Sequence, residues 1–192
     1  MDPSRRLTLV VFAVACLVVA GGALIYLGHG NSASTPAAST SSTSEPTTYL
    51  NLTIAYDPSM GNYVYTNSIV TVVANTLVVV KITNFDPNVS PLFAPWYNRV
   101  IGTVGGSEVV NSGSGPSAVS SLPSNHISHT FSVLDSLYNI SVPIPPARSA
   151  SVPSVVTFEL SMNYVEATSW ACMCNCMTGY MAAGMYGPLL VA

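Results

Sequence analysis

Over residues 49–192, apolar positions follow the period of β-strands. Every second residue is apolar in 50–54 and again in 156–162, and β-branched residues dominate 69–73 and 77–83 on either side of a turn-like triplet. No stretch of helical period reaches about a dozen residues here. The pattern predicts an all-β domain, a sandwich or barrel of about seven or eight strands.

The N-terminal part of the chain follows a different pattern. Leu7 to Leu27 is an uncharged apolar run preceded by Arg5 and Arg6, and about 20 apolar residues are what a helix needs to cross a bilayer. The paired arginines favour a cytoplasmic N-terminus, with everything after Leu27 outside the cell. We therefore expect 1–28 to be a single-pass anchor in the cell membrane; a cleaved signal peptide is the alternative.

Between the anchor and the strand pattern lies a segment of low complexity. Residues 29–48 are mostly Ser, Thr, Ala and Pro, and Glu45 is the only formally charged residue among them. Such a composition predicts a flexible stalk. It divides the anchor from an extracellular domain over 49–192, within which the Ser-, Gly- and Pro-rich residues 111–125 predict an inserted loop.

Composition and motifs exclude several classes of function. Hydrophobic residues make up 49% of the chain and charged residues 7%, with a formal net charge of −3. There is no basic surface to neutralise a phosphate backbone, so nucleic acid is not an expected partner. The sequence has no nucleophile elbow, phosphate loop or paired carboxylates. We expect no catalysis by this chain alone and no small-molecule substrate.

The chemistry-bearing residues concentrate near the C-terminus, in W-A-C-M-C-N-C-M-T-G-Y-M-A-A-G-M-Y-G. Cys172, Cys174 and Cys176 occupy every second position and are followed by methionines and glycines. Thiolate, imidazole and thioether groups together form the ligand set of copper electron-transfer sites. A disulfide between Cys172 and Cys176, thiols that merely pack, and a zinc site are the alternatives.

A second concentration is N-H-I-S-H-T-F-S-V, which contains His126 and His129. Residues three apart in a strand point to opposite faces. The two histidines can therefore face one site only if His126 belongs to the loop before the strand.

These segments resemble the cupredoxin superfamily, the Greek-key β-sandwich of blue copper proteins and of the copper domain of cytochrome oxidase subunit II. Ile69 to Asp86 resembles the strand pair that ends in a Thr-Asn turn, and His129 to Val133 resembles the strand that carries the first histidine. Trp170 to Val191 resembles the ligand loop and the last strand.

The resemblance implies a set of metal ligands. Cys172 and Cys176 match the two bridging thiolates of a dinuclear copper site, and Cys174 falls where the family uses a backbone carbonyl. His129 matches the first imidazole. Met185 matches the methionine of sulfocyanin-like loops, whose ending is similar to Gly-Met-Tyr-Gly over 184–187.

The ligand loop departs from the family at one position. Tyr180 stands where the second histidine is expected, and a phenol with a pKa of about 10 is a poor copper ligand near neutrality. His126, Cys174 or Met181 can replace the missing imidazole, or nothing does.

The resemblance implies a membrane-anchored extracellular protein that binds one or two copper ions and transfers electrons. Its expected partners are a respiratory redox protein or the other subunits of a terminal oxidase, in the manner of subunit II. The alternatives are a copper-free structural or docking subunit of a membrane complex and a Cu(I) delivery protein.

Overall fold

The computed structural model describes residues 46–176 and 184–192, which form two packed β-sheets. Two short 3-10 turns, Pro95–Asn98 and Val104–Gly106, are the helical elements of these described residues. Their strands are β1 (Thr47–Asp57), β2 (Asn62–Tyr65), β3 (Val70–Val72), β4 (Leu77–Asn84), β5 (Glu108–Asn111), β6 (Pro116–Val119), β7 (His129–Leu134), β8 (Asn139–Ile144), β9 (Ser154–Ser161), β10 (Glu166–Ala171) and β11 (Tyr186–Val191).

The sandwich consists of a six-stranded and a five-stranded sheet. The first has the order β2-β1-β4-β9-β5-β6 and the second the order β3-β11-β10-β7-β8. β1 runs parallel to β4, and β3 runs parallel to β11, whereas the other pairs are antiparallel. Their inward side chains form one apolar core, in which Ile82, Phe131 and Trp170 are fully buried.

The all-β prediction is confirmed, and the alternating segments are strands. In β1, Leu52 and Ile54 are buried, and in β9 Val156, Phe158 and Leu160 are buried, while the residues between them face outward. The alternation of apolar and polar residues therefore predicted correctly which face of each strand points into the core.

The strand count and one loop prediction are wrong. The described residues contain eleven strands rather than seven or eight, because β2, β3, β5 and β6 have only three or four residues each. Part of the predicted loop 111–125 is strand β6, which pairs with β5 from Glu108↔Val119 to Asn111↔Pro116. An exposed edge strand buries no apolar face, so its composition is like that of a loop.

The two β-branched runs are strands β3 and β4, but they lie in different sheets. β3 pairs with β11, whereas β4 lies between β1 and β9. The connecting turn contains Asn75 at φ 57°, a backbone conformation that asparagine tolerates better than most residues. This turn carries the chain from one sheet to the other.

The sandwich has two ends that matter for the site. We call one the histidine end: β4 stops there at Asn84, β7 begins at His129 and β10 stops at Ala171. The opposite end is the entry end, where β1 begins at Thr47 and β7 stops at Leu134.

No helix within 46–176 or 184–192 is long and apolar enough to cross a membrane. The predicted anchor, 1–28, and most of the predicted stalk lie outside the described residues. β1 begins at Thr47, two residues before the predicted start of the domain at Tyr49.

Candidate metal centre

Three side chains of the ligand type meet at the histidine end. His129 opens β7, Cys172 follows the last residue of β10, and Cys176 lies in the segment that leads toward β11. β7 and β10 are antiparallel neighbours, paired at Ala171↔Ser132. The start of one strand therefore lies beside the end of the other, which brings His129 to the two cysteines.

The three ligand atoms form a compact group. Nδ1 of His129 lies 3.2 Å from Sγ of Cys176 and 3.8 Å from Sγ of Cys172. The two sulfur atoms are 3.2 Å apart, and all three atoms lie within 4.8 Å of one another. Both cysteines are free thiols, so the disulfide alternative is not the state that the structure describes.

The group is largely withdrawn from water. His129 and Cys172 each expose 1% of their surface, and Cys176 is half-buried. Trp170, which shares the face of Cys172 two residues before it, is fully buried and stacks on Phe131. Trp170 is thus a core aromatic that packs next to the site.

Backbone and hydroxyl groups fix the sulfur atoms in place. Thr130 donates its amide N–H to Sγ of Cys172 at 3.4 Å, and its hydroxyl oxygen accepts from the amide of Met173 at 2.6 Å. Cys176 donates its thiol to the carbonyl of Ser128 at 3.5 Å. The strand that carries His129 therefore also holds the cysteine segment.

A carboxylate that the sequence reasoning missed orients the histidine. Oδ2 of Asp86 lies 2.9 Å from Nε2 of His129, and both residues are buried. Its other oxygen accepts from the amide and the side chain of Asn88. Pairing Nε2 with a carboxylate leaves Nδ1 to face the sulfur atoms, as second-sphere carboxylates do for metal-binding histidines.

The electrostatics of the group favour a thiolate at Cys172. Burial acts to raise the pKa of the Cys172 thiol, but hydrogen bonds with Cys174, Cys176 and His129 outweigh it and hold that pKa well below its usual range. Hydrogen bonding with Cys172 and Cys176 raises the pKa of Cys174. Because the thiolate is the metal-binding form of cysteine, Cys172 is the sulfur best prepared to bind.

A neighbouring segment covers the cysteines and orders their backbone. Leu92 and Cys174 form an antiparallel bridge, the amide of Asn175 donates to the carbonyl of Pro91 at 2.8 Å, and that of Phe93 donates to the carbonyl of Met173 at 3.1 Å. Cys174 is buried at this bridge. The cysteine segment is thus held from both sides by hydrogen bonds.

Met185 lies directly across from the first cysteine. The amide of Cys172 donates to the carbonyl of Met185 at 2.8 Å, which continues the β10–β11 ladder one step beyond Ala171↔Tyr186. Directly opposed residues share a face of the sheet, and both side chains are buried. Met185 therefore lies beside Cys172 on the neighbouring strand, and its role as a ligand stays a prediction.

The remaining candidates lie elsewhere or outside the described residues. His126 is exposed in a turn before β7, where its amide donates to the carbonyl of Pro123 at 2.8 Å, and it is not part of the three-residue group. His126 thus lies in the loop before the strand, but outside the group formed by His129 and the cysteines. Tyr180 and Met181 lie outside the described residues.

The donor set fits copper. Two sulfurs with one imidazole in apolar surroundings suit Cu(I), and imidazole also suits the oxidised ion. A closed structural zinc site uses four such ligands, one more than this group of described residues supplies. The histidine strand, the cysteine segment and the last strand meet at one end of the two sheets, where the resemblance places a copper site. The described domain is a cupredoxin-like β-sandwich.

No family model and no curated protein sequence matches the chain. Among solved structures, the cupredoxin-like domain is similar to rusticyanin from Thiobacillus ferrooxidans, at 13% identity over 76% of this chain and 77% of that chain, with a TM-score of 0.39. A multicopper oxidase from Campylobacter jejuni matches at 10% identity over 77% of this chain and 30% of that chain, with a TM-score of 0.45. Auracyanin B matches at 12% identity over 77% of this chain and 90% of that chain, with a TM-score of 0.35. Similarities of this size transfer no ligand or activity, so the function is argued from the chain's own residues.

Proposed function

We propose that this chain is a membrane-anchored, extracellular copper protein that transfers single electrons between respiratory partners, with subunit II of a terminal oxidase as the nearest analogy. The observation that carries the proposal is the buried group of His129, Cys172 and Cys176, whose ligand atoms lie within 4.8 Å of one another. Copper, as one ion or two, supplies a centre that changes its oxidation state by one electron with these ligands.

The residues of the group have separate tasks. Cys172 and Cys176 bind through sulfur, His129 binds through Nδ1, and Met185 is the candidate for a further, weaker ligand. Asp86 holds the imidazole and Thr130 holds the sulfur of Cys172. These contacts hold the ligand side chains close to one another, so little rearrangement would be needed when copper binds, which favours fast electron transfer.

Burial favours electron transfer over copper delivery. A delivery protein must release its ion to a partner, which is easiest from exposed ligands. Here His129 and Cys172 are almost completely buried and the cysteine segment is covered by Pro91 to Phe93. Such a site suits an ion that stays in place while electrons pass.

The surface over the site suits a partner with few charges. Residues 87–98 carry no charged side chain, and among them Val89 and Trp96 are exposed. Tryptophan is enriched at the centres of protein interfaces, from which charged residues are depleted. We propose a respiratory redox protein or oxidase subunit with an apolar contact surface as the partner.

Redox cycling of the copper-loaded full-length chain tests the electron-transfer proposal. Ascorbate should bleach a thiolate-to-copper absorption band in the visible, and ferricyanide should restore it over repeated cycles without loss of copper. Release of copper in the reduced state would favour the delivery alternative, and failure to bind copper with reduced thiols would favour the docking subunit.

Membrane extraction tests the anchor separately. The chain should stay with the membrane after washing with alkaline carbonate, and protease added outside intact cells should release a fragment that begins before Thr47. A soluble mature chain without Leu7 to Leu27 would contradict the anchor and support a cleaved signal peptide.

A further inference from the structure

The entry end carries exposed apolar side chains that the metal centre does not use. They lie in two turns, 134–138 between β7 and β8 and 162–166 between β9 and β10. We define the entry-end surface as four residues, Leu134, Leu137, Tyr164 and Val165, which expose 47%, 48%, 57% and 73% of their surface.

The two turns are joined into one ordered surface. The Tyr138 hydroxyl donates to the carbonyl of Tyr164 at 3.0 Å and accepts from the amide of Tyr164 at 2.8 Å. Oδ1 of Asp135 accepts from the amides of Leu137 and Tyr138. The exposed apolar groups are thus presented by a fixed scaffold.

The chain enters the domain at this same end. Thr47 of β1 pairs with Leu77 of β4, and Leu77 pairs with Ser161, the last residue of β9. The first residue of β1 therefore lies at the same end of the sheet as the turn 162–166, which follows Ser161. Residues 1–45 precede this point, and they include the apolar run Leu7 to Leu27. The exposed apolar surface therefore lies at the end of the sandwich where the chain enters β1.

The charges of the two turns restrict what can cover them. Residues 134–138 and 162–166 contain no Lys or Arg, and their acidic residues are Asp135 and Glu166. The second oxygen of Asp135 accepts from the hydroxyl of Thr168. A surface without basic residues suits uncharged or zwitterionic lipid headgroups better than anionic ones.

We propose that the entry-end surface rests on the bilayer that holds the predicted anchor, so that the metal centre faces away from the membrane. The proposal depends on the anchor in the proposed function. Tyr164 is of the aromatic type that membrane interfaces favour. A stalk of the predicted length spans about 25 Å as a flexible segment, and this tether lets even a weak contact with the bilayer persist.

The proposal sets the orientation of the metal centre. The histidine end is separated from the entry end by the length of a strand, about 25 Å for the eight residues of β4. A redox partner that is soluble or extends well above the membrane then reaches the centre directly, whereas a partner buried in the bilayer does not.

Quenching by brominated lipid tests the orientation. The full-length chain is reconstituted in phosphatidylcholine vesicles with bromine on the acyl chains near the headgroups. The native Trp96 is exposed and closely follows residues 91–93, which pair with the cysteine segment at the histidine end, and Trp170 is buried. The wild-type emission should therefore be unchanged. In Val165→Trp, the added emission should be lost. In the control Val152→Trp it should remain, because the exposed Val152 lies just before Ser154, which pairs with Asn84 at the histidine end.

A second substitution confirms that the surface makes the contact. Leu137→Asp placed in the Val165→Trp background should reduce the quenching, while Val89→Asp should not, because Val89 is equally exposed but lies near the histidine end.

An unchanged Val165→Trp emission in vesicles that retain the chain after carbonate washing would overturn the proposal and leave the anchor intact. Quenching of the wild-type emission would place the histidine end on the bilayer and overturn it as well. Loss of the chain on carbonate washing would instead show that the anchor itself is wrong, and the proposal falls with it.

Discussion

The carboxylate of Asp86 and the imidazole of His129 form a buried pair, 2.9 Å apart between Oδ2 and Nε2. Burial acts to raise the pKa of Asp86, but its hydrogen bonds from His129 and Asn88 keep that pKa below its usual value. The same contact directs the other ring nitrogen of His129 toward Cys172 and Cys176.

Asp86→Asn should weaken copper binding by about 10- to 100-fold, because the imidazole loses the carboxylate that orients it. Competition with a Cu(I) chelator measures the affinity. Asp57→Asn is the control: its carboxylate accepts from Ser59 on the surface and lies outside the metal-binding group. Equal affinities for the two variants would show that the pairing does not position His129.

Glu108→Gln should change how the stability of the domain depends on pH. Burial raises the pKa of Glu108 to about 9, and among the described residues both its carboxyl oxygens are without a hydrogen-bond partner. The folded state therefore takes up a proton, so the contribution of Glu108 to the free energy of unfolding is largest below about pH 4 and falls toward pH 9, by up to about 1.4 kcal/mol per pH unit.

Urea unfolding at pH 5 and pH 8 measures this dependence. The glutamine variant should lose most of the difference between the two values and gain stability at pH 8 relative to the wild type. Glu159→Gln, on the exposed face of the neighbouring strand β9, should keep the wild-type dependence. An unchanged slope in Glu108→Gln would mean that Glu108 is ionised in the folded domain.

Gly187→Ala should destabilise the domain by more than about 3 kcal/mol, since the added Cβ would clash with the backbone carbonyl oxygen of Ser68. That oxygen also accepts from the indole of Trp170. Gly61→Ala provides the comparison: its φ is +65° but the Cβ meets no atom within 4 Å, so the cost is roughly 1–2 kcal/mol of backbone strain. Similar melting temperatures for both variants would refute the close approach.

Cys174→Ser should preserve the thiolate-to-copper absorption, whereas Cys176→Ser should abolish it. Cys174 lies outside the three-residue group and is bridged through its backbone to Leu92. Visible spectra of the copper-loaded variants decide the point. If Cys174→Ser removes the band, its sulfur is a ligand and the assignment of the sulfur ligands must change.

The sequence predicts the fold class well because burial repeats every second residue in strands such as β1 and β9. It predicts less where strands are short or exposed: β6 has no apolar face to reveal it. The assignment of β3 and β4 to different sheets depends on pairing with β11 and β1, which the local pattern of either run does not contain.

The candidate site is predictable where residue type alone is informative. Thiols and imidazoles are few in this chain, which draws attention to residues 126–129 and 172–176, and the family resemblance selects Cys172, Cys176 and His129 among them. Asp86 is separated from His129 by 43 positions, and nothing in its local sequence marks it except the strand end on which it falls. The bridge between Leu92 and Cys174 likewise arises only when the sandwich brings distant loops together.

The central claim is that Cys172, Cys176 and His129 bind copper together, and X-ray absorption at the copper edge tests it most directly. The full-length chain, loaded with copper under mild reductant, should show sulfur and imidazole nitrogen bound to the metal. Cys172→Ser and Cys176→Ser should each lower the sulfur contribution, and His129→Ala should lower that of imidazole. A spectrum with only oxygen and nitrogen ligands, or no retained copper while the thiols of Cys172, Cys174 and Cys176 are reduced, would contradict the account.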